Sequence, residues 1–207
     1  ELFRRWVVSD KKILELEKAT KQAELQQLKK QINPHFLFNM LNNANILVKD
    51  APDEASQILE KLDNLLCYQL NDSTRREVFL TADIQFLTSF LELEKVRRDH
   101  FEYTIFQEGN MENICIPPLL FIPFVENAVK HNLDSDNLSY IHLYFSVHNK
   151  QLTFRCENSK PRVPVKREGG IGLANVKRRL DLLYESRYTL QIEDKETTYN
   201  VNLHLNL

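Results

Sequence analysis

Gly169-Gly-Ile-Gly-Leu-Ala-Asn-Val-Lys-Arg-Arg-Leu180 places three of the chain's four glycines directly before a helix-forming run. A glycine-rich turn that leads into a helix presents backbone N–H groups and the positive end of the helix dipole to an anion, most often phosphate. The spacing fits neither the GxxxxGK[ST] loop nor GxGxxG after a strand. Alone, the motif is equally typical of an ordinary helix entry.

A polar helical face lies upstream, in Phe124-Val-Glu-Asn-Ala-Val-Lys-His131. Asn127, Lys130 and His131 are spaced i, i+3 and i+4, so they share one side of the predicted helix. Such a face offers an oxygen to Mg²⁺ and cations to phosphate oxygens. A polar stripe is also ordinary on an amphipathic helix, but together with the glycine turn it favours a nucleotide site.

The N-terminal part predicts one long helix. Residues 8–48 contain no glycine and, apart from Pro34, consist mainly of good helix formers. A coiled-coil seam with 3-then-4 spacing is formed by Leu25, Leu28 and Ile32. The seam continues to His35 and Asn39, so a titratable side chain stands at a packing position. Proline inside a helix costs about 3 kcal/mol, which suggests that function maintains this segment.

The remaining pattern predicts an α+β fold. A turn after Asp50 and a second amphipathic helix ending near Asn71 would complete a hairpin, and two hairpins make a dimeric four-helix bundle. Thr81 is the expected N-cap of a third helix. Alternating strands and two further helices then predict an α/β sandwich with helices on one face of a mixed sheet. The predicted domains are a signalling coiled coil at 1–24, a dimerisation domain at 25–78 and a catalytic domain at 79–207.

Composition excludes several classes of protein. With 27 basic and 29 acidic side chains, the chain has no global field to hold nucleic acid. The three cysteines are odd in number and form no CxxC pair, so they are interpreted as small buried hydrophobes rather than disulfides or zinc ligands. The aromatic and basic start, Glu1-Leu-Phe-Arg-Arg-Trp6, resembles the cytoplasmic edge of a membrane helix, although a frayed terminus would look similar.

Three segments of the sequence form a known combination. They are Gln31-Ile-Asn-Pro-His-Phe-Leu-Phe-Asn39, Ile116-Pro-Pro-Leu-Leu-Phe-Ile-Pro-Phe-Val-Glu-Asn-Ala-Val-Lys-His131 and Gly170-Ile-Gly-Leu-Ala-Asn-Val-Lys-Arg-Arg-Leu180. Together they resemble the LytS-type sensor histidine kinase family, in that family's order and spacing, from about Leu25 onward. The resemblance implies a cytoplasmic fragment of an inner-membrane sensor, which acts as a homodimer, takes a phosphoryl group from ATP and passes it to a response regulator aspartate.

The resemblance also implies the role of each residue. His35 matches the phosphoacceptor. Independently of the resemblance, Asn39 at i+4 could orient the imidazole ring through a hydrogen bond. A Bergerat-type ATP site, as in the gyrase and MutL superfamily, would be formed by Asn127, Lys130, His131, Asn158, Gly170, Gly172, Leu173 and Asn175. Asn127 would bind Mg²⁺. The basic segment 160–167 is either the lid of this site or a solvated loop.

Two departures from the wider kinase pattern leave other functions open. Phe36 follows the acceptor where many histidine kinases have an acidic base, and Asn158 stands where the superfamily uses an aspartate for adenine. A non-catalytic dimeric relay module with a degenerate nucleotide pocket is therefore one alternative. An ATPase clamp that uses water as the nucleophile, and does not need His35, is another.

Overall fold

The computed structural model describes residues 34–132, 134, 137–161 and 171–207. Within this part, the side chains of Pro34, His35, Ile171 and Gly172 are not described. The predicted long helix before residue 34, its coiled-coil seam and the predicted domain at 1–24 lie outside the described residues. Gly170 and residues 162–167 of the predicted lid also lie outside them.

The chain begins, in the described part, with a helical hairpin. Helix α1 spans Pro34–Leu47 and helix α2 spans Pro52–Asn71, so the second helix ends where the sequence predicts. Pro52 stands in the first turn of α2, where its missing N–H costs nothing because the first helical amides have no partner within the helix. The hairpin buries Met40 and Ala44 of α1 together with Ile58, Leu62 and Leu65 of α2.

A small antiparallel sheet connects the hairpin to the next helix. Strands β1 (Val78–Phe79) and β3 (Cys115–Ile116) pair, and helix α3 follows as Leu80–Val96. The Leu80 N–H donates to the Ile114 carbonyl at 2.8 Å, so this sheet determines where α3 begins. The prediction of Thr81 as the N-cap is therefore wrong, because the cap position is Phe79 and no side chain caps this helix.

The second half contains a five-stranded mixed sheet in the order β2-β4-β5-β7-β6. Only the β2–β4 pair is parallel. The predicted hairpin between β4 and β5 turns at Asn149 and Lys150, whose φ angles of 48° and 63° match the left-handed conformation of a tight hairpin turn. The strands are β2 (Phe101–Gly109), β4 (Ser139–His148), β5 (Gln151–Ser159), β6 (Tyr188–Asp194) and β7 (Thr198–Asn206).

Three helices cover one face of this sheet, as the sequence predicts. They are α3, α4 (Ile122–His131) and α5 (Ile171–Tyr184). Phe121 contacts Phe145 and Phe154 across the layers, with ring centroids 5.2 and 4.5 Å apart. The alternating pattern of β4 and β5 thus places apolar side chains under the helices and polar ones on the opposite face.

The cysteine prediction is correct for one residue of three. Cys156 is buried under the helices, whereas Cys67 and Cys115 are exposed. Cys67 lies on the side of α2 that faces away from the buried residues, and Cys115 belongs to the two-residue strand β3. Among the described residues, no helix is both long and apolar enough to cross a bilayer.

Candidate functional site

Helix α4 brings the predicted Mg²⁺ and phosphate residues to the helical side of the sheet. It contacts strand β5 and helix α5. Asn127 and His131 are half-buried, and Lys130 is exposed. The two cations stand in the last turn of α4, where the negative end of the helix dipole stabilises positive charge. The helix thus presents one amide and two basic side chains at i, i+3 and i+4 spacing.

Buried arginine fixes the carboxyl end of α4. Arg98, just after α3, donates to the Val129 carbonyl at 2.8 Å and to Asn132 Oδ1 at 2.9 Å. Its Nε lies 3.2 Å from the carboxylate of Glu94, which is almost fully buried. The guanidinium also stands 5.0 Å from the centroid of the Phe101 ring. The Val129 carbonyl and the Asn132 side chain at the end of the helix therefore each have a charged donor from within the fold.

A second buried arginine fixes the amino end of α4. Arg179 of α5 donates to the Leu119 carbonyl at 2.6 Å and also to the carbonyl of Pro118. Leu119 has a φ of 56°, and its N–H donates to Asp83 Oδ1 at 2.9 Å. Asp83 of α3 is fully buried, and burial raises the pKa of its carboxyl. Both ends of the helix that carries Asn127 are thus held by buried charged groups.

Sequence reasoning missed these supporting residues. Asp83 stands beside Ile84 and one helical turn before Leu87, and Arg179 stands between Val176 and Leu180. A charged residue inside an apolar helical stripe is a signal that could have identified them, because buried charge needs a partner. The pairing itself could not be found from spacing alone, since Arg179 reaches carbonyls about 60 residues earlier in the chain.

Asn158 lies at the predicted adenine position on β5 and is buried. It pairs with Ile141 of β4 and Tyr199 of β7, and its side-chain amide donates to the Ser159 carbonyl at 2.8 Å. Glu157 precedes it and points to the other face, because successive side chains of a strand alternate. The buried polar group at this position of the strand is therefore an amide. The carboxylate of Glu157 lies on the opposite face of the sheet.

Glu126 of α4 lies in a mainly apolar environment where α4 meets the hairpin. It lines a cavity of about 20 Å³ together with residues of α1, α2 and α3, among them Phe36, Leu65 and Phe90. Burial raises the pKa of Glu126 to about 7. The Phe36 and Phe90 rings are 5.0 Å apart, so the segment beside the predicted acceptor packs on α3.

The other predicted residues fall on the expected elements. His35 is in α1, and Asn39 is half-buried one turn along the same helix. Gly172 lies in the first turn of α5, and Leu173 and Asn175 follow it as half-buried residues. The structure packs α5 against α4.

The donor set fits a magnesium ion that arrives with a nucleotide. Within the described ranges, no group of three or more His, Cys, Asp or Glu residues could hold a metal ion. Magnesium typically takes one or two protein oxygens and completes its shell with phosphates and water, and the amide oxygen of Asn127 would be one such ligand.

Comparison with known proteins places these features in a family. A family model described as histidine kinase matches residues 23–101. The sensor protein LytS of Staphylococcus haemolyticus is 29% identical over 203 residues, which cover 91% of this chain and 35% of that protein. The sensor histidine kinase YpdA of Escherichia coli is 31% identical over 119 residues, which cover 58% of this chain and 21% of that protein. These matches support a LytS-type histidine kinase family for the chain.

The LytS-type relatives are longer than this chain. The chain spans about a third of the S. haemolyticus protein and about a fifth of the E. coli protein. A solved structure described as a bacterial phosphotransferase matches with a TM-score of 0.50 and 11% identity, over 89% of this chain and 96% of that one. This likeness concerns the fold alone. The predicted α+β fold, with helices on one face of a mixed sheet, is confirmed for the described part of the chain.

Proposed function

We propose that this chain is the kinase core of a cytoplasmic region of a membrane sensor, and that it transfers a phosphoryl group from Mg-ATP to His35. The phosphoryl group then passes to an aspartate of a response regulator. The single observation that supports the proposal is that α4, the helix of Asn127, Lys130 and His131, packs against α5 and against the strand of the buried Asn158.

The nucleotide residues act by binding and positioning. Asn127 offers its amide oxygen to Mg²⁺, which neutralises developing phosphate charge when bound. Lys130 and His131 add cationic groups on the same helical face. The backbone N–H groups at the start of α5, near Gly172, are free to bind phosphate oxygens because the first helical amides lack partners within the helix. The buried Asn158 oxygen accepts from the adenine amino group.

His35 serves as the in-line nucleophile of this reaction. A neutral imidazole attacks with one nitrogen while the other keeps its proton, and an oriented ring makes the attack efficient. Asn39 lies one helical turn further along α1, within reach of such an orienting role. Phosphoryl transfer needs little covalent assistance from the protein, so positioning of His35 against the nucleotide is the main requirement.

A second copy of the chain is the proposed partner of the hairpin. Each hairpin helix leaves apolar side chains uncovered on one flank, in addition to the residues that it buries. These are Phe38 and Leu41 of α1, Val48 directly after α1, and Leu59 and Leu70 of α2, each between 45% and 66% exposed. Two such flanks would bury one another in a four-helix bundle, which supports the homodimer.

The decisive experiment is incubation with γ-labelled ATP and Mg²⁺, comparing wild type with His35→Ala. His148→Ala, which removes an exposed histidine at the end of β4, is the matched control. We expect acid-labile, alkali-stable label on wild type and on His148→Ala, and none on His35→Ala. Label that persists on His35→Ala would contradict the assignment of the acceptor.

A non-catalytic relay module is the second candidate. It is favoured by one observation, namely that the buried polar residue at the adenine position is Asn158 and carries no charge. Such a module would dimerise through the hairpin but bind nucleotide weakly or not at all. Folded, dimeric wild-type protein that takes no label and binds no Mg-ADP would favour the relay module.

A further inference from the structure

Tyr68 links the helical hairpin to the nucleotide half of the chain through one buried carboxylate. Its hydroxyl, on α2, donates a 2.6 Å hydrogen bond to Asp83 Oδ1 on α3. The same oxygen accepts the N–H of Leu119 at 2.9 Å. A single oxygen atom therefore joins a hairpin helix to the residue that introduces α4.

Leu119 is held in a strained conformation by charged groups on both sides. Its φ of 56° lies in the left-handed region, which is disfavoured for residues with a β-carbon. Asp83 accepts its N–H, and Arg179 donates to its carbonyl. Such a conformation persists only where the surrounding structure over-determines it. The direction in which α4 leaves Leu119 therefore depends on Asp83 and Arg179.

The cluster around Leu119 is incompletely satisfied. Asp83 Oδ2 and Arg179 Nε are buried and, as far as the structure describes the chain, have no hydrogen-bond partner. Burial raises the pKa of Asp83 and lowers the pKa of Arg179, so keeping both groups charged is unfavourable. A cluster that served stability alone would be expected to satisfy these atoms or to replace them by apolar groups. Strain and unsatisfied polar atoms coincide where the hairpin meets the nucleotide half.

We propose that the Tyr68 hydroxyl and Asp83 are positioning groups through which the hairpin regulates nucleotide affinity. While Tyr68 donates to Asp83, the carboxylate is fixed and holds Leu119, so α4 presents Asn127 to the nucleotide. A movement of α2 that withdraws the hydroxyl frees Asp83 and loosens the start of α4. This inference rests on the proposed function, because it assigns the effect to a nucleotide site on α4.

The test compares Tyr68→Phe with Tyr188→Phe. Tyr188 provides a matched control, since its hydroxyl also donates to an aspartate Oδ1 at 2.6 Å, in Asp181, but on the exposed surface. The readouts are amide hydrogen exchange over residues 119–125 and affinity for Mg-ADP by calorimetry. We expect Tyr68→Phe to speed this local exchange and to weaken Mg-ADP binding by about threefold to tenfold. Tyr188→Phe is expected to leave both unchanged.

A second variant separates positioning from general stabilisation. Asp83→Ala removes the shared acceptor, and we expect it to speed amide exchange over residues 119–125 as Tyr68→Phe does. If the two groups act through one bond, adding Tyr68→Phe to Asp83→Ala weakens Mg-ADP binding no further. A Tyr68→Phe protein with a lower melting temperature but wild-type exchange and affinity would overturn the proposal. If wild type bound no Mg-ADP, the proposed function would fail. The amide exchange over residues 119–125 in Tyr68→Phe would still show whether the hairpin holds the start of α4.

Discussion

Arg98 Nη1 lies 2.9 Å from Asn132 Oδ1, and this contact joins the end of α3 to the end of the helix that carries Asn127. Arg97 and Arg98 both contact the buried Glu94, but only Arg98 reaches α4 among the contacts described. We expect Arg98→Met to lower the free energy of unfolding by about 2 to 4 kcal/mol, because it leaves Glu94 and the end of α4 without a buried donor. Arg97→Met is the control and is expected to cost under about 1 kcal/mol. If urea denaturation showed that Arg98→Met and Arg97→Met lose the same free energy of unfolding, the role given to Arg98 would be contradicted.

Asn127→Ala tests the magnesium assignment without relying on turnover. Wild-type protein is expected to bind ADP more tightly with Mg²⁺ than with a chelator, because the Asn127 oxygen completes the ion's shell. In Asn127→Ala the two affinities should become nearly equal, as measured by calorimetry. Asn202→Ala, which removes a half-buried asparagine from the other face of the sheet, should keep the wild-type ratio. A preserved magnesium dependence in Asn127→Ala would place the ligand elsewhere.

Asn158→Ala tests base recognition. Loss of the buried amide oxygen removes an acceptor for the adenine amino group, so the preference for ATP over GTP should fall by about fivefold to tenfold. Competition by inorganic triphosphate should stay unchanged, because its phosphates do not contact this strand. If the affinities for ATP and for triphosphate fell equally, Asn158 would be supporting the fold rather than recognising the base. Far-ultraviolet circular dichroism serves as the check on folding.

Leu41→Glu tests the apolar flank of the hairpin. The side chain is 47% exposed, so a charge is tolerated in the monomer but would be buried in a dimer. We expect the variant to sediment as a monomer at concentrations where wild type is a dimer. Gln57→Glu places the same charge on an exposed polar position of α2 and should leave the dimer intact. A dimeric Leu41→Glu protein would exclude this flank as the interface.

The cysteines predict a simple labelling pattern. Burial raises the pKa of Cys156 to about 12, so at pH 8 this group is a thiol rather than the reactive thiolate, and it is also inaccessible. Cys67 and Cys115 are exposed. A thiol reagent should therefore modify Cys67 and Cys115 in the native protein and Cys156 only after denaturation. Raising the pH to 9 should not make Cys156 reactive, since its thiolate fraction stays small. Labelling of all three cysteines in the native protein would contradict the burial of Cys156.

The sequence predicted those elements whose pattern is local. Alternation identified the β4–β5 hairpin, and helical spacing identified α2 and the face of α4 that carries Asn127. The β1–β3 sheet was missed because strands of two residues have no periodicity to detect, and the beginning of α3 was misplaced with it. The support of the site was missed for a related reason. The Arg179 contact with Leu119 depends on the tertiary fold, and no spacing rule connects residues so far apart.

This separation along the chain has a consequence for synthesis on the ribosome. The hairpin partners are neighbours in sequence, so α1 and α2 can pair as soon as both have emerged. The turn at Leu119 is complete only after Arg179, 60 residues later in the chain, has been synthesised. Only then do the Leu119 carbonyl and the buried Asp83 gain a cation. A nascent chain that ends before α5 therefore contains the hairpin but lacks the arginine that holds the turn before α4. Under the proposed function, the predicted acceptor His35 would be synthesised and folded before the nucleotide half of the chain is complete.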